Sequence, residues 1–177
     1  MKKVVKFGGS SLASAEQFMK VSGIIKADDE RRFVIPSAPG KRNKKDTKVT
    51  DMLYACYEAV ENDKPCQELL KAIEARYEEI IKGLGMALSL KEEFKTIAEN
   101  FKKKAGKDYA ASRGEYLNGI IMAAYLKFTF IDAAEVIFFD ENGNFDAAKT
   151  DKVMSERLEK EEYAVIPGFY GSQPDGS

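Results

Sequence analysis

The chain has 177 residues, which is the size of one domain or of a large part of one. Its 28 Lys and Arg residues against 29 Asp and Glu residues leave a net charge of −1, which argues against a general nucleic-acid binder, since such proteins need a basic excess. The absence of histidine excludes a Ser-His-Asp triad, a histidine general base and histidine metal ligands.

The two cysteines, Cys56 and Cys66, have neither a metal-binding nor a CxxC spacing. We therefore expect two free thiols in a reducing compartment. We expect no signal peptide, because the N-terminus runs directly into a predicted strand, and no segment is apolar over the length needed to cross a membrane. These features predict a cytoplasmic protein without a membrane or nucleic-acid partner.

The N-terminal segment predicts a strand, a tight turn and a helix. Lys2 to Phe7 contains β-branched residues and reads as a strand, which Gly8-Gly9 ends. A helix with regularly spaced apolar residues is predicted from about Ala13 to Lys26. Its predicted N-cap is Ser10 or Ser11, because a serine side chain can accept a hydrogen bond from the first helical turn.

A second strand is predicted from Arg32 to Ile35, and Pro36 ends it. The small residues of Ser37-Ala38-Pro39-Gly40 then predict a turn. The charged run from Lys41 to Lys48 is typical of a mobile surface loop.

Four helices are predicted next. The first runs to about Glu61 and is predicted to begin at an N-cap formed by Thr50 or Asp51. The other three are predicted at about Pro65 to Lys82, Leu90 to Lys104 and Asp108 to Lys127.

The last quarter of the chain returns to strands, which are predicted at Phe128 to Ile131, Glu135 to Phe139 and Tyr163 to Pro167. Asn142-Gly143 is a turn signal that would join the second of these strands to a hairpin partner. A helix is predicted from about Ala148 to Glu161. This alternation of strands and helices predicts an α/β fold with a mainly parallel sheet, in which ligands bind beyond the carboxyl ends of the strands.

Lys6 and the glycines after the first strand are the first candidates for a site. Gly8 and Gly9 let the backbone turn sharply and bring amide N–H groups close to a ligand, and the next helix adds a partial positive charge. Lys6 can place an ammonium beside phosphate oxygens. The spacing is neither that of a Walker A loop nor that of a dinucleotide fingerprint. A plain strand–helix turn with a surface lysine is an equal alternative from this pattern alone.

Three later segments carry further candidates. The hydroxyl of Ser37 can donate to a carboxylate or a phosphate, and Thr50 can contact a substrate, although a plain loop and a helix cap are the favoured local interpretations. Glu115 can accept a hydrogen bond from a substrate ammonium, and Arg113 can pair with a carboxylate, but an acid in a first helical turn is also stabilised by the helix dipole. Gly168-Phe169-Tyr170-Gly171 suits close ligand approach or a simple turn.

In this order the segments K-F-G-G-S-S, S-A-P-G-K-R, V-T-D, S-x-G-E and P-G-F-x-G resemble aspartokinases of the amino-acid kinase superfamily, and the resemblance runs from Val4 to Gly176. It implies the α/β/α sandwich of the carbamate-kinase type, incomplete here. It also implies that residues 1–177 are the N-terminal, amino-acid-binding part of a catalytic domain. The rest of the nucleotide site and the regulatory ACT domains would then be absent from this chain.

The resemblance implies conversion of ATP and L-aspartate to ADP and 4-phospho-L-aspartate, the first step of lysine, threonine and methionine biosynthesis. It implies Mg²⁺ held mainly through ATP, no metal ligands on the chain, and a homo-oligomer. Lys6 would be catalytic. The implied ATP-phosphate site comprises Lys6, Phe7, Gly8, Gly9 and Ser10. The implied aspartate-binding residues are Ser37, Thr50, Glu115 for the α-amino group, and Phe169.

The chain departs from the family pattern at two positions: Ser10 stands where threonine is common, and Pro36 where a β-branched residue often stands. Two alternatives remain beside the aspartokinase interpretation. One is another amino-acid kinase, of the glutamate or acetylglutamate type. The other is a non-catalytic α/β binding fragment. We expect the 177 residues alone to be inactive.

Overall fold

Four parallel strands form one sheet in the computed structural model, which describes residues 1–177. They are β1 (Lys3–Phe7), β2 (Arg31–Pro36), β3 (Thr129–Phe130) and β4 (Ala164–Val165). Their order in the sheet is β1-β2-β4-β3, so the last strand of the chain lies between the second and the third. All pairings are parallel, which confirms the predicted α/β class.

Seven helices surround the sheet. They are α1 (Ala15–Lys26), α2 (Val49–Glu61), α3 (Gln67–Gly83), α4 (Lys91–Lys102), α5 (Lys107–Leu126), α6 (Ala133–Val136) and α7 (Ala147–Glu159), and a single 3-10 turn (Gly9–Leu12) precedes α1. The six longer helices confirm the predicted ones, with ends shifted by a few residues. None of the helices has both the length and the apolar character that a bilayer crossing requires.

The two helix starts were predicted at the wrong residues. Because the 3-10 turn occupies the segment after β1, the cap of α1 is Ser14, whose hydroxyl accepts a hydrogen bond from the Gln17 amide, and not Ser10 or Ser11. Helix α2 has Lys48 at its N-cap, with no side-chain cap bond, so Thr50 and Asp51 lie inside its first turn. The Thr50 side chain is therefore available for another contact.

The strand predicted from Glu135 to Phe139 is also wrong. Asp132 accepts a hydrogen bond from the Ala134 amide at 3.0 Å and caps the short helix α6 in its place. The predicted hairpin reduces to one antiparallel bridge between Phe139 and Phe145. A local side-chain cap has thus overridden the β propensity of the segment.

The core covers both faces of the sheet. On one face, 25 buried residues join β2 and β4 to α1, α2, α3, α4 and α5. On the other face, Phe33, Ile131, Val136, Ala164 and Ile166 form a smaller cluster against α6 and α7. This arrangement confirms helices on both sides of the sheet. Helices α6 and α7 do not cover the edge strand β1, where Val4 is 61% exposed.

Candidate functional site

The turns that follow β1 and β2 touch each other through their backbones. The Gly40 amide donates to the Gly9 carbonyl at 2.8 Å, and the Ser37 amide donates to the Phe7 carbonyl at 3.0 Å. A Cβ on Gly40 would lie 2.6 Å from the Gly9 carbonyl carbon and 2.7 Å from the Ser10 nitrogen. Only glycine permits this approach, so the two turns form one continuous rim at the carboxyl edge of the sheet.

We expect Gly40→Ala to destabilise the fold by about 1–3 kcal/mol, because the added methyl group meets backbone that cannot move aside cheaply. Thermal unfolding measures this loss. Gly8→Ala is the matched control, because a Cβ there meets nothing within 4 Å and the Gly8 φ of −76° suits any residue. Equal unfolding midpoints for the two variants would contradict the close approach of the turns.

Helix α5 supports the turn that follows β2, which is called the second turn below. Glu115 Oε1 accepts from the Ala38 amide at 3.2 Å, and Asn118 Nδ2 donates to the Ser37 carbonyl at 2.6 Å. Gly114 faces Ala38 so closely that a Cβ on the glycine would lie 2.7 Å from the alanine methyl. The Tyr77 hydroxyl of α3 donates to the Gly114 carbonyl at 2.8 Å and fixes the helix itself. The turn is thus attached to the core at several points.

A cleft of about 430 Å³ opens between these elements. It brings together five of the residues predicted to form the site, namely Gly9, Ser10, Ser37, Thr50 and Glu115. These residues come from both turns, from the start of α2 and from α5. The sequence separates them by more than 100 residues, and the parallel sheet brings them to one edge.

Glu115 is the buried acid of this cleft, and only 9% of its surface is exposed. Burial raises its pKa above the ordinary 4.5, because a low-dielectric site disfavours the charged carboxylate. The Ala38 amide and the positive charge of Lys6 act in the opposite direction. Oε2 of Glu115 is buried and has no hydrogen-bond partner. A buried oxygen in this state favours a ligand that brings a hydrogen-bond donor, above all a cation.

Lys6, Phe7 and Gly8 do not line the cleft, but they adjoin it. Lys6 is exposed near the carboxyl end of β1, close enough for its charge to act on Glu115. The half-buried Phe7 side chain packs on the main core, so its contribution to the rim is its carbonyl. Gly8 is exposed. The ammonium and the glycine turn thus flank the cleft at its β1 side.

The structure does not bring Phe169 to the cleft. Its side chain is 73% exposed, and its backbone has a φ of 77°, which a residue with a side chain rarely adopts. The segment after β4 therefore exposes an aromatic ring to solvent, and Phe169 is not among the residues that line the cleft.

Arg113 has no carboxylate within ion-pair distance and does not line the cleft. Its guanidinium lies over three tyrosine rings, at 4.8 Å from the centroid of Tyr109, 4.4 Å from that of Tyr116 and 5.4 Å from that of Tyr170. This arrangement is cation–π stacking. The pairing of Arg113 with a substrate carboxylate stays a prediction, because the fold shows only this stacking on tyrosine rings.

Four residues of this region were not predicted from the sequence. Lys41 and Lys48 line the cleft, but within a charged run they look like ordinary surface lysines. Asn118 and Arg76 are buried, and both support the second turn. The sequence does carry a pattern that indicates burial of Asn118 and Arg76. Each is a polar residue at a position where the helix repeat predicts an apolar one, three residues from another inward-facing residue.

A second cleft, of about 250 Å³, lies between α3 and the segment that leads into α4. It is lined mainly by apolar side chains, including Ile81, Leu88 and Phe94, and it shares no lining residue with the first. No group of three or more His, Cys, Asp or Glu side chains in the fold is placed to hold a metal ion. The polar cleft is therefore the better candidate for a charged ligand.

Comparisons with known proteins identify the family of the chain. The family model described as the amino acid kinase family matches residues 1–177. Aspartokinase 3 of Bacillus subtilis (strain 168) is 36% identical over 188 residues, which cover 98% of this chain and 41% of the relative. The chain thus spans about two fifths of the length of this curated relative.

Two solved structures share the fold. The crystal structure of Clostridium acetobutylicum aspartate kinase, described as an allosteric enzyme, matches with a TM-score of 0.96 and 50% identity, over 100% of this chain and 41% of that one. E. coli aspartokinase III in complex with aspartate and ADP matches with a TM-score of 0.81 and 22% identity, over 99% of this chain and 42% of that one. At the lower identity the likeness concerns the fold.

Proposed function

The chain belongs to the amino acid kinase family, and from that premise we propose that it forms the aspartate-binding part of an aspartokinase. The proposed reaction transfers a phosphoryl group from ATP to the side-chain carboxylate of L-aspartate and yields ADP and 4-phospho-L-aspartate. The observation that carries the proposal is the unpaired, buried oxygen of Glu115 in a cleft that also holds Ser37 and Thr50. The aspartokinase relatives at 36% and 50% identity support it.

The charges of aspartate suit this cleft. Its α-ammonium would donate to Oε2 of Glu115 and fill the one buried acceptor that lacks a partner there. The hydroxyl groups of Ser37 and Thr50 would donate to carboxylate oxygens, and Phe169 would approach the amino acid only if its exposed segment moved inward. The ammonium therefore fixes the orientation of the ligand, because Glu115 is the only acid that lines the cleft.

The proposed chemistry needs no general base. The nucleophile is a carboxylate with a solution pKa of about 3.9, so it is already ionised near neutral pH, and a chain without histidine is suited to it. Phosphoryl transfer of this kind depends on alignment and on neutralisation of charge. Lys6 would provide a positive charge beside the transferred group, and the amides of Gly9 and Ser10 would face phosphate oxygens.

We propose that Mg²⁺ arrives with ATP and neutralises the charge of its phosphates. Ligands from the nucleotide would suffice, since Mg²⁺ commonly keeps several waters and binds substrate phosphates. The phosphate side of the site would consist of Phe7, Gly8, Gly9 and Ser10, of which Gly9 and Ser10 line the cleft.

We expect L-aspartate to bind less tightly as pH falls through the raised pKa of Glu115. The ammonium needs the ionised carboxylate, so in this range binding must expel a proton from Glu115. Calorimetric titrations from about pH 7.5 down to the ordinary value of 4.5 measure the effect while the side chain of aspartate stays mostly ionised. Repetition in buffers with different ionisation enthalpies counts the protons released. An affinity that is constant over this range would argue against Glu115 as the ammonium site.

A panel of amino acids separates aspartate from the ligands of related kinases. N-acetylglutamate has no ammonium to offer Glu115, and L-glutamate is longer by one methylene. We expect the 177-residue chain to bind L-aspartate more tightly than either, by calorimetry at neutral pH. Preference for glutamate or acetylglutamate would instead favour a different amino-acid kinase, and a chain that binds none of them would favour a non-catalytic fragment.

Catalysis by these 177 residues alone is not expected. They correspond to about 41% of the length of the aspartokinase relatives, and we propose that further parts of the nucleotide site lie in the remaining length. Hydroxylamine traps aspartyl phosphate as a hydroxamate, so incubation of the purified chain with ATP, Mg²⁺ and L-aspartate tests this directly. Hydroxamate formation would refute the division of the site.

We further propose that the protein acts in the cytoplasm and as a homo-oligomer, in the pathway from aspartate to lysine, threonine and methionine. Cys56 and Cys66 are both free and buried, which fits a reducing compartment. The oligomer rests on the resemblance to aspartokinases, and sedimentation of the purified protein tests it.

A further inference from the structure

Four charged residues attach the loop Lys41–Lys48 to helix α3. Asp46 accepts from Nε of Arg42 at 2.9 Å and from Nη1 of Arg76 at 2.8 Å, and Arg42 also pairs with Glu79. The hydrogen bond from Arg42 holds the pKa of Asp46 well below its ordinary value of 3.8, so this carboxylate stays ionised at neutral pH. The loop Lys41–Lys48, which the sequence predicted to be a mobile surface loop, is therefore anchored to α3 through Asp46.

Arg76 makes the deepest of these contacts. It is only 6% exposed, and burial of an arginine is costly unless its donors find partners. Besides Asp46, its two Nη atoms donate to the Gly40 carbonyl at 3.0 Å and to the Thr47 carbonyl at 3.3 Å, and only its Nε is buried without a partner. One buried side chain thus holds both ends of the loop at once.

The residues next to these two anchor points are Lys41 and Lys48, and both line the cleft. Neither has a carboxylate within 4.0 Å, whereas the neighbouring Arg42 and the buried Arg76 are paired. Glu115, whose Oε2 lacks a partner, lines the same cleft. The cleft therefore combines one buried acid with two unpaired ammonium groups, an arrangement that suits a ligand with one cationic and at least one anionic group.

We propose that Lys41 and Lys48 bind an anionic oxygen group of the ligand, either a carboxylate or a phosphoryl group, and that Arg76 is a positioning residue which holds them at the cleft. The nature of the ligand rests on the proposed function. Anion binding by the two lysines does not depend on the proposed function, because it follows from their placement at the cleft and from the absence of ion-pair partners.

The test compares two double variants of the 177-residue chain. Lys41→Ala/Lys48→Ala removes the two charges at the cleft. Lys44→Ala/Lys45→Ala removes two exposed charges from the same loop that do not line the cleft, so long-range electrostatic effects are matched. Each variant is titrated at low ionic strength with L-aspartate and, separately, with inorganic phosphate. Circular dichroism verifies that each variant is folded.

For at least one of the two probes, we expect the cleft variant to raise the Kd by about tenfold or more and the control variant to raise it by less than about twofold. The reason is that a direct hydrogen bond between charged groups contributes more to binding than the attraction of a distant charge does. Loss of aspartate affinity identifies the anionic group as a carboxylate, and loss of phosphate affinity identifies it as phosphoryl. Equal effects of the two variants, or a wild-type chain that binds neither probe, would overturn the proposal.

Asp46→Asn tests the positioning role without removing the buried arginine. It should speed amide hydrogen exchange in residues 41–48 and raise the Kd of the same probe several-fold, whereas Glu79→Gln, which changes only the outer pair to Arg42, should have little effect. Unchanged exchange and affinity in Asp46→Asn would remove the positioning role. If the chain binds phosphate through the lysines but does not bind aspartate, the proposed function fails and the anion site stands.

Discussion

Replacement of Glu115 by glutamine is expected to weaken L-aspartate binding by about 100-fold, because truncating one partner of a buried charged pair commonly costs about 2–5 kcal/mol. Glutamine keeps the size of the side chain and the oxygen that accepts from the Ala38 amide, so the second turn stays supported. What it removes is the negative charge that faces the ammonium. Isothermal calorimetry at neutral pH gives the ratio of the two Kd values directly.

The stability of the same variant separates loss of binding from loss of fold. Burial raises the pKa of Glu115 in the folded chain, so the carboxylate ionises more readily in the unfolded chain. Below the ordinary value of 4.5 both states hold the proton, and stability falls as pH rises from there through the folded pKa. At neutral pH, Glu115→Gln should therefore unfold at the same temperature as the wild type or higher. Glu99→Gln on the exposed surface of α4 is the control. Wild-type aspartate affinity in Glu115→Gln would remove Glu115 from the proposed site.

Lys6→Ala is expected to lower kcat by about two or more powers of ten in a complete aspartokinase that contains these residues, because the variant loses the positive charge that we propose lies beside the transferred phosphoryl group. The KM for aspartate should change far less than kcat, since Lys6 does not line the cleft that we propose for the amino acid. Hydroxamate formation and ADP release give two independent rates.

Lys2→Ala is the control for Lys6→Ala. Lys2 precedes β1 and lies at the opposite end of the strand, where its ammonium contacts the Phe33 ring at 5.5 Å from the centroid. It carries the same charge on the same stretch of chain but far from the carboxyl edge of the sheet. A kcat in Lys6→Ala close to that of Lys2→Ala would show that Lys6 takes no part in the transfer step.

Much of the fold follows from local sequence patterns. The β-branched residues before Gly8 and the apolar run before Pro36 predicted β1 and β2 to within a residue or two, and the alternation of elements predicted a parallel sheet. Periodic apolar positions found the six longer helices. These features depend on residues near one another in the chain, so a single sequence carries them.

Two local features were predicted wrongly, because short-range caps and turns compete with propensity. Asp132 turned a β-prone segment into helix α6, and a 3-10 turn moved the cap of α1 to Ser14. Features that depend on distant contacts could not be predicted at all. Lys41 and Lys48 could not be placed at the cleft from sequence, because their position is set by Arg76, 28 residues or more away in the chain. Gly9 and Gly40 show the same limit, since each glycine is required by the backbone of the other turn.

Chemical-shift mapping of the 177-residue chain by NMR, with L-aspartate as the titrant, tests whether the polar cleft binds aspartate. We expect saturable shifts concentrated at the Ala38 amide, Thr50 and the Glu115 carboxylate, and their disappearance in Glu115→Gln. Absence of shifts, or shifts confined to the apolar cleft around Ile81 and Phe94, would contradict the assignment of the polar cleft as an aspartate site.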